Sequence, residues 1–214
     1  MSNPDSFIDE VTEEVRRDRL FALFRKYGWI AIVAVVLIVG GASYFEWQKA
    51  QQVAAAQALG DGMLAALSKD DAAARIAALD QVQTDSQARV LVELLAAGEA
   101  TGPDAAARYQ AIADDAGLPL AYRQLATIKM VVAQGKSTPP ESRRAALGPL
   151  SAPGQPFRPA ALEHLALIAV ETGDNQQAIA LLREAIQASD ATAGLRQRAS
   201  QLIVALGGSL EDLS

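Results

Sequence analysis

The sequence predicts an all-α protein in which one N-terminal transmembrane helix is followed by a helical-repeat domain with a C-terminal capping helix. Three observations support this prediction. Residues 28–45 are an apolar run without a charge. The rest of the chain divides into short helical segments separated by glycine, proline and capping residues. No stretch shows the two-residue alternation of apolar and polar side chains that is typical of strands.

Composition limits the classes of function. Of the 214 residues, 50% are hydrophobic and 21% are charged, which is typical of a folded chain. The absence of cysteine excludes disulfides, thiolate nucleophiles and cysteine-ligated metals, and the single histidine, His164, excludes a site with several histidine ligands. A net charge of −6 argues against nucleic acid as the main partner, because phosphate binding needs clustered lysine and arginine.

The first segment, residues 1–26, is predicted to be a cytoplasmic amphipathic helix. Ser6 is suited to its N-cap with Asp9 three positions later, and Val11 and Val15 continue an apolar face at helical spacing. Two interpretations remain open. The helix docks on a cytoplasmic or membrane partner, or it lies in the interface against the lipid headgroups.

Residues 27–47 are predicted to cross the membrane. At 1.5 Å per residue, this segment matches the roughly 30 Å thickness of a hydrocarbon core. Aromatic rings prefer the level of the headgroups, and such residues flank the apolar run at both ends. They are Tyr27, Trp29, Tyr44, Phe45 and Trp47.

The distribution of cations predicts the orientation. Five cations precede the span closely and one follows it closely; they are Arg16, Arg17, Arg19, Arg25 and Lys26, and then Lys49. The positive-inside rule therefore places the N-terminus in the cytoplasm and the C-terminal domain outside, which in a bacterium is the periplasm. The predicted location is the bacterial inner membrane, crossed once.

Two other interpretations of this segment fit less well. A cleaved signal peptide has a shorter apolar run of about 7–15 residues, and the small residues 54–56 lie well past the end of the run. A mitochondrial transit peptide avoids acidic residues, whereas this N-terminal segment contains Asp9, Glu10, Glu13 and Glu14. An uncleaved anchor is therefore favoured.

The remainder is predicted to comprise a helical linker with the first helix pair, 48–85, and a repeat domain, 86–214. Glycine, proline and capping residues delimit the helices. The membrane helix is predicted to continue over 48–67, and it is followed by a helix from Asp70 to Val82 and by one that begins at Asp85 and Ser86. The next helix has Pro103 in its first turn and ends at Gly117, another begins at Pro119, and a third begins at a capping box formed by Thr138, Pro139, Pro140 and Glu141. The last three helices are predicted near 159–172, 175–188 and 191–206.

Apolar spacing predicts which faces of these helices are buried. The expected positions are Tyr109 and Ile112 in one helix and Leu120, Leu125, Ile128 and Val132 in the next. The segment from Ser151 to Pro159 contains three prolines and a glycine and is predicted to be a loop. The acidic pair Asp70-Asp71 is interpreted as a helix cap, and the pair Asp114-Asp115 as solvated side chains.

Residues 159–192 resemble a tetratricopeptide repeat. Large and small residues recur at the positions that let two antiparallel helices pack closely, namely Leu162, Leu165, Ala166, Ala169, Gly173, Ala178, Leu182 and Ala185. Gly173 is predicted to end the first helix in the left-handed conformation, and Asp174 with Gln177 to cap the second. The sequence departs from the motif at Leu162 and Ala169, where tryptophan and tyrosine are usual, and at Asp190, where proline is typical.

The match weakens towards the N-terminus. Residues 119–150 match in part, through Leu125 and Ala126, and residues 86–116 match weakly, with either Ala105 or Ala106 as the small packing position. Residues 191–206 are predicted to be a capping helix that closes the open end. Its apolar positions are Leu195, Ala199, Leu202 and Leu206.

The order of these segments resembles a bacterial family of tetratricopeptide-repeat-like inner-membrane proteins that includes the ancillary subunit of the SecYEG translocon. The stub FIDEVTEEVRRDRLFALFRKYG is similar to the version in alphaproteobacterial members. The resemblance implies a non-enzymatic periplasmic scaffold that associates with the translocon and with a membrane-anchored periplasmic chaperone. It transfers no partner-contact residues, because no contact motif of the family is matched.

The candidate partner-binding residues follow from the repeat register. Solenoids bind through a concave face, which the first helix of each pair lines. On that basis the surface consists of Arg123, Thr127 and Met130 in one unit and Glu163, Leu167, Val170 and Glu171 in the next. His164 is interpreted as a surface or groove residue, because no serine or acid at motif spacing supports a catalytic role.

The sequence therefore favours an accessory scaffold of protein export that holds a chaperone or a nascent chain near the translocon. The alternative is a structural accessory subunit of a respiratory or envelope membrane complex. An envelope enzyme is disfavoured, because no catalytic constellation or phosphate loop is recognisable. The expected partners are proteins and the lipid bilayer, with no nucleic acid, small-molecule substrate, cofactor or metal.

Overall fold

A computed structural model describes residues 4–84 and 86–209 of the chain, without the side chains of 4–24, 31, 86 and 87. Over the described residues the fold is all-helical and contains no strand. The helices are α1 Pro4–Leu67, α2 Ala72–Asp80, α3 Ser86–Glu99, α4 Gly102–Asp114, α5 Leu120–Gln134, α6 Pro140–Leu147, α7 Arg158–Glu171, α8 Asn175–Gln187 and α9 Ala193–Ala205, with 3-10 turns at Gly135–Ser137 and Gly148–Ser151. The chain separates into two compact units, Met1–Ala58 and Leu59–Ser214.

The first unit consists of most of α1. This helix continues without a break through 48–67, as the sequence predicts. It begins at Pro4, so the prediction of Ser6 as its N-cap is wrong; proline suits the first turn, where its missing N–H is not needed. The predicted apolar face around Val11 and Val15 lies outside the described side chains. Within the described residues, one helix is long and apolar enough to cross a membrane, and it is this one.

The second unit has three apolar cores, each closed by neighbouring helices. The end of α1, α2 and α3 enclose Ala66, Leu79, Val92 and Ala96. The largest core lies among α3, α4, α5, α6 and α7. The third joins α7, α8 and α9 around residues such as Ala178, Leu182 and Ile203, none of which has measurable solvent exposure. Since consecutive helices form each core, the second unit is built mainly from contacts between neighbours along the chain.

Side-chain caps start three of the helices. The Asp71 carboxylate accepts a hydrogen bond from the amide of Ala74 at 2.8 Å, which confirms the capping role predicted for the Asp70-Asp71 pair. Asp174 accepts from the amide of Gln177 at 2.9 Å, as expected, and Thr192 caps α9. The cap predicted at Asp85 lies outside the described residues.

Two helix boundaries differ from the predicted ones. Gly117 does not take a positive φ, and the Asp115 carboxylate accepts its amide at 2.8 Å, so a side-chain turn follows α4 and Asp115 is more than a solvated acid. The capping box at α6 does not form, because Pro139 occupies the N-cap and offers no side-chain acceptor. The carbonyl of Thr138 instead accepts from Arg143 Nε at 3.0 Å.

Burial agrees with the predicted faces at some positions and not at others. Tyr109 and Ile112 are buried, and so are both candidate packing alanines, Ala105 and Ala106. Ile128 is buried and Leu125 is partly buried, whereas Leu120 and Val132 are exposed. The buried residues of α5 are Gln124, Ala126, Ile128, Met130 and Val131. In α9, Ile203 is fully buried although it is not among the apolar positions that the sequence predicts.

Candidate functional site

A groove opens on the surface of the second unit where α3, α4, α5 and α7 meet. Its volume is about 470 Å³, within the range of ligand-sized sites. The walls are mostly small or apolar residues. They are Ala97, Gly98, Ala100, Thr101, Gly102, Ala105, Tyr109, Leu125, Ile128, Lys129, Val132, Ala133 and His164.

Small residues at the end of α3 give the groove its shape. A Cβ atom at Gly98 would lie 3.6 Å from Tyr109 Oη, so the phenol of α4 packs directly against this turn of α3. Gly102 follows with a φ of +54°, a conformation that favours glycine, and lets the chain turn into α4. Residues of α5 line the groove together with this close contact of α3 and α4.

One permanent charge lines the groove among the described residues. It belongs to Lys129, which is exposed and whose Nζ lies 5.8 Å from the centre of the Tyr109 ring. An ammonium at that distance from an aromatic face is attracted by the electrons of the ring. Burial raises the pKa of the Tyr109 hydroxyl, which therefore stays neutral beside the cation.

His164 contributes a neutral polar group from α7. Burial lowers the pKa of its imidazole below the ordinary value of 6.5. Burial is the largest of the three effects on this pKa. The negative charge of Glu163 raises the pKa, and the positive charge of Arg198 lowers it. The side chain is thus half-buried in a groove wall, consistent with the prediction of a surface or groove residue.

Two carboxylates adjacent in sequence to groove residues, those of Glu99 and Glu163, are paired elsewhere. Glu99 Oε2 lies 2.6 Å from Arg75 Nε, and the Glu163 carboxylate accepts two hydrogen bonds from Arg198, at 2.9 and 2.8 Å. No carboxylate is among the described lining residues. The ammonium of Lys129 is therefore held by a ring and not by an acid.

The residues predicted on α5 have other contacts. Arg123 Nε donates to the carbonyl of Ala113 in α4 at 3.2 Å, and Thr127 Oγ1 donates to the carbonyl of Arg123 at 2.9 Å. Met130 is only 8% exposed and belongs to the largest core. Met130 is thus buried, whereas Arg123 and Thr127 are partly exposed.

The residues predicted on α7 are also dispersed. Glu163 pairs with Arg198 of α9, and Glu171 with Arg143 of α6 at 2.7 Å. Val170 packs against the core of α7, α8 and α9, and Leu167 is 44% exposed. None of the seven predicted residues lines the groove, whereas their sequence neighbours on α5 and α7 do.

The reason for this shift is local. Leu125, Ile128 and Val132 form an apolar stripe that the sequence assigns to the core, and all three line the groove beside Lys129. Helical periodicity identifies an apolar stripe but does not say whether another helix covers it. A cation in the middle of the stripe, Lys129, is the signal that marks this edge as open.

Comparison of the chain with protein-family models, with curated proteins and with solved structures finds no match. Apolar walls with one cation and a neutral imidazole suit the binding of a chain segment.

Proposed function

We propose that this chain is a membrane-anchored protein-interaction scaffold, in which α1 holds the protein in a bilayer and the helical domain binds other proteins. The observation that carries the proposal is the exposure of the apolar stretch of α1. Its side chains include Ile32, Leu37 and Ile38, each about two-thirds exposed, in a stretch that the protein does not bury at all. Contact of such an apolar surface with lipid is favourable, whereas its exposure to water is not.

The orientation belongs to the same proposal. The arginines and lysines before the span, Arg25 and Lys26 closest to it, favour a cytoplasmic N-terminus. The helical domain then lies on the periplasmic face of a bacterial inner membrane. This arrangement places the groove outside the cytoplasm, where folding chaperones and exported chains are possible partners.

The domain is proposed to be a degenerate solenoid of tetratricopeptide-like repeats. Support comes from α7 and α8, which pack together across a short connection with Ala166 and Ala178 fully buried between them. Gly173 after α7 and Gly207 after α9 lie one repeat period of about 34 residues apart and both have a positive φ. The capping helix thus ends in the way that the first helix of the preceding unit ends.

The partners are proposed from the resemblance of the sequence to the family that includes the ancillary translocon subunit. They are the SecYEG translocon and a membrane-anchored periplasmic chaperone. In this proposal the protein catalyses no reaction and uses no cofactor. The groove supports a binding role, since an apolar recess with few polar groups is typical of recognition surfaces.

The proposal is tested by purifying the tagged full-length protein from its native membrane in mild detergent and identifying what accompanies it. Enrichment of translocon subunits and a periplasmic chaperone supports the export scaffold. Stoichiometric recovery with a respiratory or other envelope complex assigns the protein to that complex and overturns the export role. Recovery from the soluble fraction, or from membranes without any protein partner, contradicts the scaffold itself.

A further inference from the structure

The groove of α3, α4, α5 and α7 combines an apolar surface with a single positive charge. Ile128 contributes to its floor, and Val132 is 55% exposed at its edge. Lys129 lies between these two residues in sequence and projects from the same part of α5. An occupant that fits this surface needs apolar side chains and a negative group close to them.

The charge of Lys129 is available to such an occupant. Its contact with the Tyr109 ring orients the ammonium but does not neutralise it. No carboxylate is among the described residues that line the groove, and the neighbouring acids Glu99 and Glu163 are paired with arginines. The whole chain has a net charge of −6, whereas the described residues that line this groove include one cation and no carboxylate.

We propose that the groove binds a short acidic and apolar segment of a partner protein. Its leucine- or valine-sized side chains contact Leu125, Ile128 and Val132, and its carboxylate pairs with Lys129. The recess of about 470 Å³ accommodates a few side chains and not an entire domain surface. This assignment rests on the proposed scaffold function and names the chemistry of the segment that the scaffold recognises.

The direct test uses the full-length protein in detergent and a fluorescent peptide of alternating leucine and glutamate. Two matched peptides replace every glutamate by lysine or every leucine by serine. The leucine–glutamate peptide is expected to bind about tenfold more tightly than either, because it alone supplies both the carboxylate and the apolar contacts. Equal binding of the glutamate and lysine peptides would overturn the charge assignment.

Paired variants assign the effect to the groove. Lys129→Glu is expected to reverse the preference between the two charged peptides, whereas Lys69→Glu, the same change at an exposed lysine outside the groove, leaves it unchanged. Val132→Asp is expected to weaken binding about tenfold or more, since it places a charge against apolar side chains. Val204→Asp is its control, at a valine of α9 that is 56% exposed and outside the groove.

Other outcomes reject the proposal in recognisable ways. If Lys129→Glu and Lys69→Glu act alike, the groove is not the site. Concentration-dependent dimers that Val132→Asp abolishes would assign the groove to a second copy of the chain. If no peptide binds while the full-length protein still recovers its membrane partners, the segment assignment is wrong and the scaffold function stands. If no peptide binds and the full-length protein recovers no membrane partner, both proposals are contradicted.

Discussion

Gly173 and Gly207 end α7 and α9 with the same backbone arrangement. Their φ angles are +81° and +83°, and their amides donate to Val170 and Val204 respectively, each at 3.0 Å. The following amide in each case donates back to the helix at 2.9 Å, which completes a Schellman motif. The two motifs satisfy carbonyls that the helix itself leaves without partners.

Replacing either glycine by alanine is expected to destabilise the domain. Alanine in this left-handed conformation costs about 1–2 kcal/mol, because its Cβ crowds the following carbonyl. Thermal or urea unfolding of full-length Gly173→Ala and Gly207→Ala measures the loss. Gly60→Ala is the matched control: Gly60 lies inside α1 with open space around a Cβ, so alanine there is expected to be neutral or stabilising.

Ala178→Arg is expected to unfold the packing of α7 against α8. Ala178 has no exposed surface, so arginine there overfills the core and buries a charge, at a cost of more than about 3 kcal/mol. Ala180→Arg in the same helix is the control, at an exposed position. Hydrogen exchange of the backbone amides in α7, α8 and α9 measures the loss of this packing. Unchanged protection in Ala178→Arg would refute the proposed register of the repeat.

The buried Arg143 connects α6 to the end of α7. Its guanidinium donates to the carbonyl of Thr138 and to the carboxylate of Glu171, so Arg143→Ala is expected to cost about 2 kcal/mol in stability. Urea unfolding measures the cost. An exposed arginine, Arg198, is the comparison, and Arg198→Ala is expected to have the smaller effect because solvent screens its pair with Glu163.

The ion pair of Arg143 with Glu171 also predicts a loss of stability in acid. The hydrogen bond from Arg143 lowers the pKa of Glu171 below its ordinary value of 4.5. The folded protein then binds a proton less readily than the unfolded chain, so the contribution of the pair is complete above pH 4.5 and falls as the pH drops through the lowered pKa. Arg143→Ala is expected to make the acid limb of the unfolding curve shallower, and an unaltered limb would contradict this.

His164 predicts a second pH effect, in a different range. Because burial lowers the pKa of the imidazole, protonation favours the unfolded chain, and stability falls as the pH drops below 6.5. His164→Gln is expected to remove this part of the pH dependence while retaining a polar side chain. Melting temperatures at about pH 7.5 and 5.5 measure it. A wild-type protein and a variant that change in parallel would show that the imidazole titrates normally.

Much of the fold follows from local signals. Helices begin or end where the sequence has Asp71, Asp174 or Gly173, because caps and left-handed glycines act over a few residues. Their interpretation needs no knowledge of tertiary contacts. The same holds for the apolar stretch of α1, which length and composition alone identify.

The candidate site was harder to predict, because it depends on which helix covers which. Met130 and Val132 are both apolar residues of α5, yet one is in the core and the other is exposed at the groove. Likewise Arg123 and Glu163 are charged residues of the kind expected on an open surface, but Arg123 is hydrogen-bonded to α4 and Glu163 to α9. Helical spacing alone does not determine these tertiary partners.

The central claim, that the helical domain binds protein partners beside the membrane, is tested most directly by photo-crosslinking in the native membrane. A photoreactive residue is placed at Val132 in the full-length chain, and separately at Val204 as a control of equal exposure. Discrete protein adducts are expected from position 132 and few from position 204. Absence of protein adducts at 132 in cells where the chain is inserted and folded, or adducts of equal yield at both positions, would contradict it.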